Sequence, residues 1–412
     1  MQSSLAALRP ALPILIGASV MLTLSMGLRQ SFGLFMQPMT RDISISVSDF
    51  TLALAVQNLV WGFVQPLAGV LLVRWNYRST MLMGSLIYAV GLALMATAGN
   101  LLSVIIGVGI LIGFALAFTT SAVAMAAAAR SVSPALRSMV LGIVSAAGSL
   151  GALLAAPIGQ GLQELYGWRV GVAGFLVLGL LMLPAAWVAG RVDALPPPPR
   201  QADDLDDTSA GRAARAALSN PSFVVMALAF FVCGMQLLFI TTHLPSYLAI
   251  CGMDPMLSAQ ALGMIGGFNV LGSLFFGWAG GRWNKQALLG LIYLLRSVTL
   301  AVYFSSPPTV SSTLLFAAAM GFLWFGVAPL MTGAVVEMFG LKWQAMIGGL
   351  AFMVHQFGSF LGAYGGGVLY DRLGSYTLAW QLAVGIGLTA GAVQMMFAFI
   401  RGGTTPTPLA AR

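Results

Sequence analysis

Twelve long apolar runs leave this chain few ways to fold. They fall at about residues 12–39, 49–73, 79–99, 101–129, 138–163, 170–190, 222–249, 258–281, 287–305, 311–336, 344–369 and 377–400. A helix crosses a bilayer with ~20 mostly apolar residues, and each run is of that order. Only 7% of the residues are charged and 59% are hydrophobic, whereas soluble proteins carry ~25% charged residues. No soluble core absorbs that much apolar surface. The expected fold class is therefore all-α integral membrane, with twelve transmembrane helices. Abundant glycine, 49 residues, fits helices whose backbones approach closely in lipid.

The net charge of +8 would point to nucleic acid in a soluble protein. Here it follows from the rule that basic residues gather in cytoplasmic loops. With the N-terminus inside, fourteen loop arginines and lysines are cytoplasmic, while Arg41, Arg169 and Arg372 alone face out. An even number of spans puts both termini in the cytoplasm. The first run lacks a convincing cleavage site and is expected to be retained as a helix. Cys233 and Cys251 are too few for a disulfide framework, and both are read as packing residues.

The one long internal loop, 191–221, holds PPPP at 196–199 and DDLDD at 203–207. That composition predicts a solvated cytoplasmic linker without a packed core. It separates an N-terminal six-helix bundle, 1–190, from a C-terminal one, 222–412. A short signal repeats across the two halves. GVLLVRWNYRS (69–79) follows the second run and GWAGGRWNKQ (277–286) follows the eighth. Matching loops in matching positions imply two related halves.

Twelve spans, the 6+6 division and the paired loop resemble the major facilitator superfamily. Its loop motif is usually written G-x-x-x-D-R-x-G-R-R. Gly69, Arg74 and Arg78 match, but Val73 stands at the acidic position. In the second copy Gly277 and Arg282 match and Gly281 replaces the acid. That departure weakens the charge pair the family uses as a cytoplasmic latch. GSLGALLAAPIGQG (148–161) is similar to the family's helix-5 motif in a loose form. Within the family, the chain looks most like the monocarboxylate porters and oxalate/formate antiporters. Arg29 in GLRQSFGLF falls where the porters carry a helix-1 lysine. RSMVLGIVSAAGSLG (137–151) is similar to their helix-5 signature, and His355 lies near the antiporters' helix-11 lysine. The porters' helix-8 Asp/Arg pair has no counterpart, since Asn269 and Ser273 stand there. The resemblance implies two bundles flanking a central mid-membrane cavity, with alternating access.

Several polar side chains lie inside the runs, and each admits two readings. An arginine deep in a bilayer is expensive and faces partners or water. Arg29 is expected to contact substrate, the alternative being a side chain that snorkels to headgroups. Arg296 is about ten residues into its helix, so it is a second binding cation or a structural one bonded to carbonyls. His355 is the candidate proton carrier, because imidazole titrates near neutral pH. The alternative is a neutral hydrogen-bonding histidine. His243, beside Pro245, is placed at the outer helix end. Asn58, Trp61 and Gln65 share a helix face by their spacing. Asn58, Gln236 and Asn269 either line a binding cavity or bond a neighbouring helix. Trp324 and Phe325 pack a gate or the core.

All eleven acidic residues fall in loops or near helix ends. No mid-membrane carboxylate is available for a cation, so the expected passenger is a small organic anion that supplies the missing counter-charge. The chain has no Walker A loop, no GxSxG and no metal-ligand cluster. No enzyme activity, metal or cofactor is expected, and the expected partners are the substrate, a proton and lipid around a monomer. The expected function is proton-coupled uptake of a monocarboxylate across the inner membrane. Exchange, efflux of a hydrophobic compound and a non-transporting receptor role are the alternatives.

Overall fold

The computed structural model describes residues 9–196 and 209–400. Twelve helices in it are long and apolar enough to span a membrane: α1 (Leu12–Asp42), α2 (Asp49–Arg74), α3 (Tyr77–Ala96), α4 (Leu101–Ser131), α5 (Pro134–Tyr166), α6 (Trp168–Ala194), α7 (Pro221–Ile250), α8 (Met256–Ala279), α9 (Lys285–Phe304), α10 (Val310–Phe339), α11 (Gln344–Tyr370) and α12 (Thr377–Ile400). The chain divides into two compact units, Met1–Pro196 and Pro197–Arg412. The run 203–207 and all but the first proline of 196–199 lie outside the described residues.

The two units use one packing scheme. In the first, α1 packs on α5, α2 on α4 and α3 on α6. In the second, α7 packs on α11, α8 on α10 and α9 on α12. The tightest seams run through glycine. A Cβ at Gly151 in α5 would overlap the Thr23 carbonyl of α1, and one at Gly358 in α11 would overlap the Phe231 carbonyl of α7. No side chain fits there, so the backbones meet directly, as small residues permit in lipid.

Helix α3 is clamped at both ends by α6. Asp193 accepts from the amides of Tyr77 and Arg78, both at 2.9 Å. At the far end Arg169 donates to the carbonyls of Ala96 and Ala98, at 3.1 and 3.0 Å, and pairs with Asp42. Each charge sits at the helix pole of opposite sign. Val73 supplies no acid to this loop, and Asp193 holds the following helix by its amides.

One expectation is corrected. Residues Ala210–Ser219 of the expected solvated linker form a helix whose Ala213 and Ala217 are buried against α7 and α11. The segment AGRAARAALS is rich in alanine, the strongest helix former. Ser209 caps its start and Asn220 caps α7 directly after it.

Four of the long helices are interrupted near the polar residues. Helix α1 tightens to a 3₁₀ turn at Phe32–Phe35, just past Arg29. Helix α4 widens to a π-segment at Ile105–Leu111 and breaks at Thr120, whose φ and ψ are −101° and −163°. Helix α10 breaks between Trp324 and Val327. Helix α11 carries a π-segment at Leu361–Gly365.

Candidate functional site

Interrupted helices leave carbonyls without their i+4 amides, and in lipid such groups need other donors. In the first unit α2 provides them. Gln57 Nε2 donates to Val108 O in the π-segment at 2.8 Å, and Gln65 Nε2 donates to Ala117 O beside the Thr120 break at 2.9 Å. Ser25 Oγ of α1 reaches Thr119 O at 2.9 Å, and Tyr88 Oη of α3 reaches Ser25 O at 3.0 Å. These bonds tie α1, α2, α3 and α4 together one helical turn from Arg29.

Arg29 lies about 26 Å along α1 from Leu12 at 1.5 Å per residue, well inside the span. It is half-buried. Its Nη2 donates to Asn58 Oδ1 at 2.5 Å. The guanidinium lies over the Trp61 ring, with Cζ 4.9 Å from the centroid. Its Nε is buried without a hydrogen-bond partner among the described residues. No acid pairs with Arg29 among the described residues, and no Asp or Glu whose side chain is described is buried. The guanidinium therefore rests on neutral groups, an amide oxygen and an indole face. Asn58 is fully engaged on this side: its Nδ2 donates to Leu54 O at 3.0 Å.

The second unit holds its polar residues differently. Arg296 is 0% exposed. Its Nη1 donates to Cys233 Sγ at 3.0 Å and its Nη2 to Cys233 O at 3.3 Å. Gln236 is equally buried. Its Nε2 donates to Ser297 Oγ and to Ala383 O, both at 3.0 Å. Cys233 and Gln236 on α7 thus face Arg296 and Ser297 on α9, with α12 closing the third side. This cluster joins three helices inside one unit.

His355 on α11 is buried. Its Nδ1 lies 3.2 Å from Gln356 Oε1 and 3.5 Å from Ser359 Oγ. Phe352 stacks on its ring and Phe230 packs at 4.4 Å. Asn269 on α8 is buried and its Oδ1 has no partner among the described residues. His243 serves the π-segment of α11: its Nε2 meets Ala363 O at 2.8 Å and its Nδ1 meets Tyr376 Oη at 3.3 Å. Nε2 must then carry the proton, because a carbonyl only accepts. Trp324 and Phe325 lie at the break in α10.

Of the six residues singled out from the sequence, the structure joins Arg29 to Asn58 in the first unit and gathers Arg296 near Gln236 in the second. Asn269 and His355 sit apart on α8 and α11. As an amide inside a span, Gln65 is read from the sequence as bonding a neighbouring helix, which its bond to Ala117 O bears out; the sequence does not mark Trp61 as the plate beneath Arg29. Their spacing with Asn58 already placed all three on one face. No group of three or more His, Cys, Asp or Glu among the described residues could hold a metal.

Residues 18–363 match the profile described as Major Facilitator Superfamily. The chain is 26% identical over 386 residues to monocarboxylate transporter 13 of Bos taurus, covering 92% of this chain and 87% of that protein. It is 27% identical over 377 residues to monocarboxylate transporter 11 of Homo sapiens, covering 87% of this chain and 77% of that one. In fold it is similar to the transporter FucP in the outward conformation, with a TM-score of 0.73 at 15% identity over 95% of this chain and 99% of that one. It is also similar to the proton:xylose symporter XylE, with a TM-score of 0.74 at 12% identity over 94% of this chain and 95% of that one.

Proposed function

The chain belongs to the major facilitator superfamily, and from that premise we propose that it is a secondary transporter for a small organic anion, most simply a monocarboxylate. The observation that supports this most is the state of Arg29. A cation inside a span, partly exposed and paired with no acid among the described residues, is costly until an anion reaches it. Its Nη2 is engaged by Asn58, while its Nε has no partner among the described residues. An arginine fork suits a planar carboxylate. The names of the relatives, monocarboxylate transporters, agree with that chemistry.

Arg29 is assigned to the substrate carboxylate. His355, with neutral neighbours on α11, is assigned to the coupled proton. The transporter works in the inner membrane with both termini cytoplasmic, by alternating access. Exchange of one anion for another is the second reading. It is favoured by the absence of buried acids among the described side chains, because a carrier with fixed cations moves most easily when an anion is bound.

The test is a thermal-shift screen of purified protein against sodium lactate, pyruvate, benzoate and oxalate, repeated on Arg29→Ala. Stabilisation by at least one of the four anions, lost in the variant, supports the reading. No response to any of them, or an equal response in both proteins, rejects it. In proteoliposomes, symport gives uptake driven by an inward proton gradient, and exchange gives flux only with anion on both sides. His355→Gln should flatten the pH dependence of uptake; an unaltered profile removes His355 from the proton path.

A further inference from the structure

The break in α4 and the guanidinium of Arg29 are joined by a continuous set of contacts through α2. Thr120 is extended, and its amide bonds back to Leu116 O at 3.1 Å. The next backward bond of that kind runs from Ala124 to Thr120 O, also 3.1 Å. The carbonyl of Ala117 lies in the gap between them and takes its donor from Gln65, at 2.9 Å. The other end of the Gln65 amide accepts from Trp61 Nε1, at 2.9 Å.

The amide cannot be turned round. An indole nitrogen only donates and a carbonyl only accepts, so the two contacts fix Gln65 oxygen toward Trp61 and nitrogen toward α4. Gln65 is 1% exposed, and in an apolar surrounding neither bond has water as a ready substitute. The bond to Nε1 fixes the rotation of the indole. The indole face in turn lies under the Arg29 guanidinium at 4.9 Å, while Asn58, one turn back on α2, holds Nη2.

We propose that Gln65 is a positioning residue: through the Trp61 indole it sets the plane of the Arg29 guanidinium, referenced to the broken turn of α4. It does not touch the anion. The proposal rests on Arg29 being the anion contact only for its functional meaning; the positioning itself concerns three side chains of the protein. Its consequence is directional. A guanidinium fixed in plane, with one face covered and one edge held, offers its remaining donors along one line of approach, which favours a planar two-oxygen group.

Gln57 supplies the control. It lies on the same helix and satisfies another carbonyl of α4, Val108 O at 2.8 Å, and no hydrogen bond joins it to Trp61. If Gln65 only stitches α2 to α4, the two glutamines are equivalent; if Gln65 positions Arg29, they are not. The readout is the rate at which phenylglyoxal modifies Arg29 in the full-length purified protein, followed by peptide mass spectrometry, with Arg41 and Arg169 as internal references. Gln65→Leu should raise the Arg29 rate at least threefold and leave the references alone. Gln57→Leu should leave Arg29 as in the wild type. Trp61→Phe keeps the ring and removes its N–H, so it should match Gln65→Leu, and the double variant should show no further rise. It also serves if Gln65→Leu does not fold. An unchanged Arg29 rate in whichever of these two variants folds, or an equal rise in Gln57→Leu, overturns the proposal. Since no substrate is needed, the anion reading can fail in the thermal-shift screen while this inference stands, and the reverse.

Discussion

Arg29 and Arg296 are the same residue in the same kind of helix, and each has a buried Nε with no partner among the described residues; the protein surrounds the rest of the two guanidinium groups in different ways. Arg29 is only partly buried, stacked on an indole and held by one amide oxygen. Arg296 is sealed, with a thiol and a carbonyl at its two terminal nitrogens. An intramembrane charge is a functional candidate by default. The pair shows how far that default goes. What separates a binding cation from a structural one is whether an edge of the fork can still be reached, and the sequence of neither helix states it.

Removing the sealed cation should cost the most. Arg296→Ala leaves a cavity in a packed core and removes the donors to Cys233 Sγ and O, and such a truncation costs about 2–5 kcal/mol. Unfolding in mixed micelles should show it, whereas Arg29→Ala should move stability by less than about 1 kcal/mol. The sharper half of the test is Arg296→Met. A buried charge replaced by an apolar chain of similar length is often neutral or stabilising, so this variant should fold and retain full anion affinity. Loss of affinity in a folded Arg296→Met protein would erase the distinction between the two arginines.

The next effect is on binding. Arg29→Ala should weaken anion affinity by about 2–3 kcal/mol, the scale of a charged hydrogen bond, or roughly 30- to 150-fold. A smaller effect follows at Gln236, which belongs to the sealed cluster. Gln236→Leu gives up two hydrogen bonds, at about 1 kcal/mol each in a membrane bundle, and should leave anion affinity untouched.

The contrast also shows what could be read from the sequence. Twelve runs of apolar residues named twelve spans because bilayer thickness fixes their length. Repeated loops named two related halves because insertion rules act on each. Alanines in 210–219 could have announced a helix, but the acidic and proline-rich residues before them suggested none. The interruptions at Phe32, Thr120 and Leu361 were not legible, since no proline falls at any of them and each run stays apolar enough as a whole to read as one span. The carbonyls that Gln57, Gln65 and His243 serve follow from those interruptions, so these particular partners were hidden with them. Arg29 and Arg296 were both visible as buried charges, but exposure depends on which neighbours arrive from distant helices.

Arg29→Lys is the smallest change and separates charge from shape. Lysine keeps the positive charge but presents a compact ammonium in place of a planar fork. It cannot lie flat on Trp61 in the same way, nor hold Asn58 while offering a second in-plane donor to the ligand. If charge alone drew the anion, affinity would be retained. The stacking and the hydrogen bond to Asn58 argue that the plane matters, so a loss of about 1 kcal/mol is expected, near fivefold. It should be greater for carboxylates than for chloride, which presents no paired oxygens. Equal losses for both anions would mean that Trp61 and Asn58 support the cation without shaping what it binds, and Arg29 would differ from Arg296 only in being reachable.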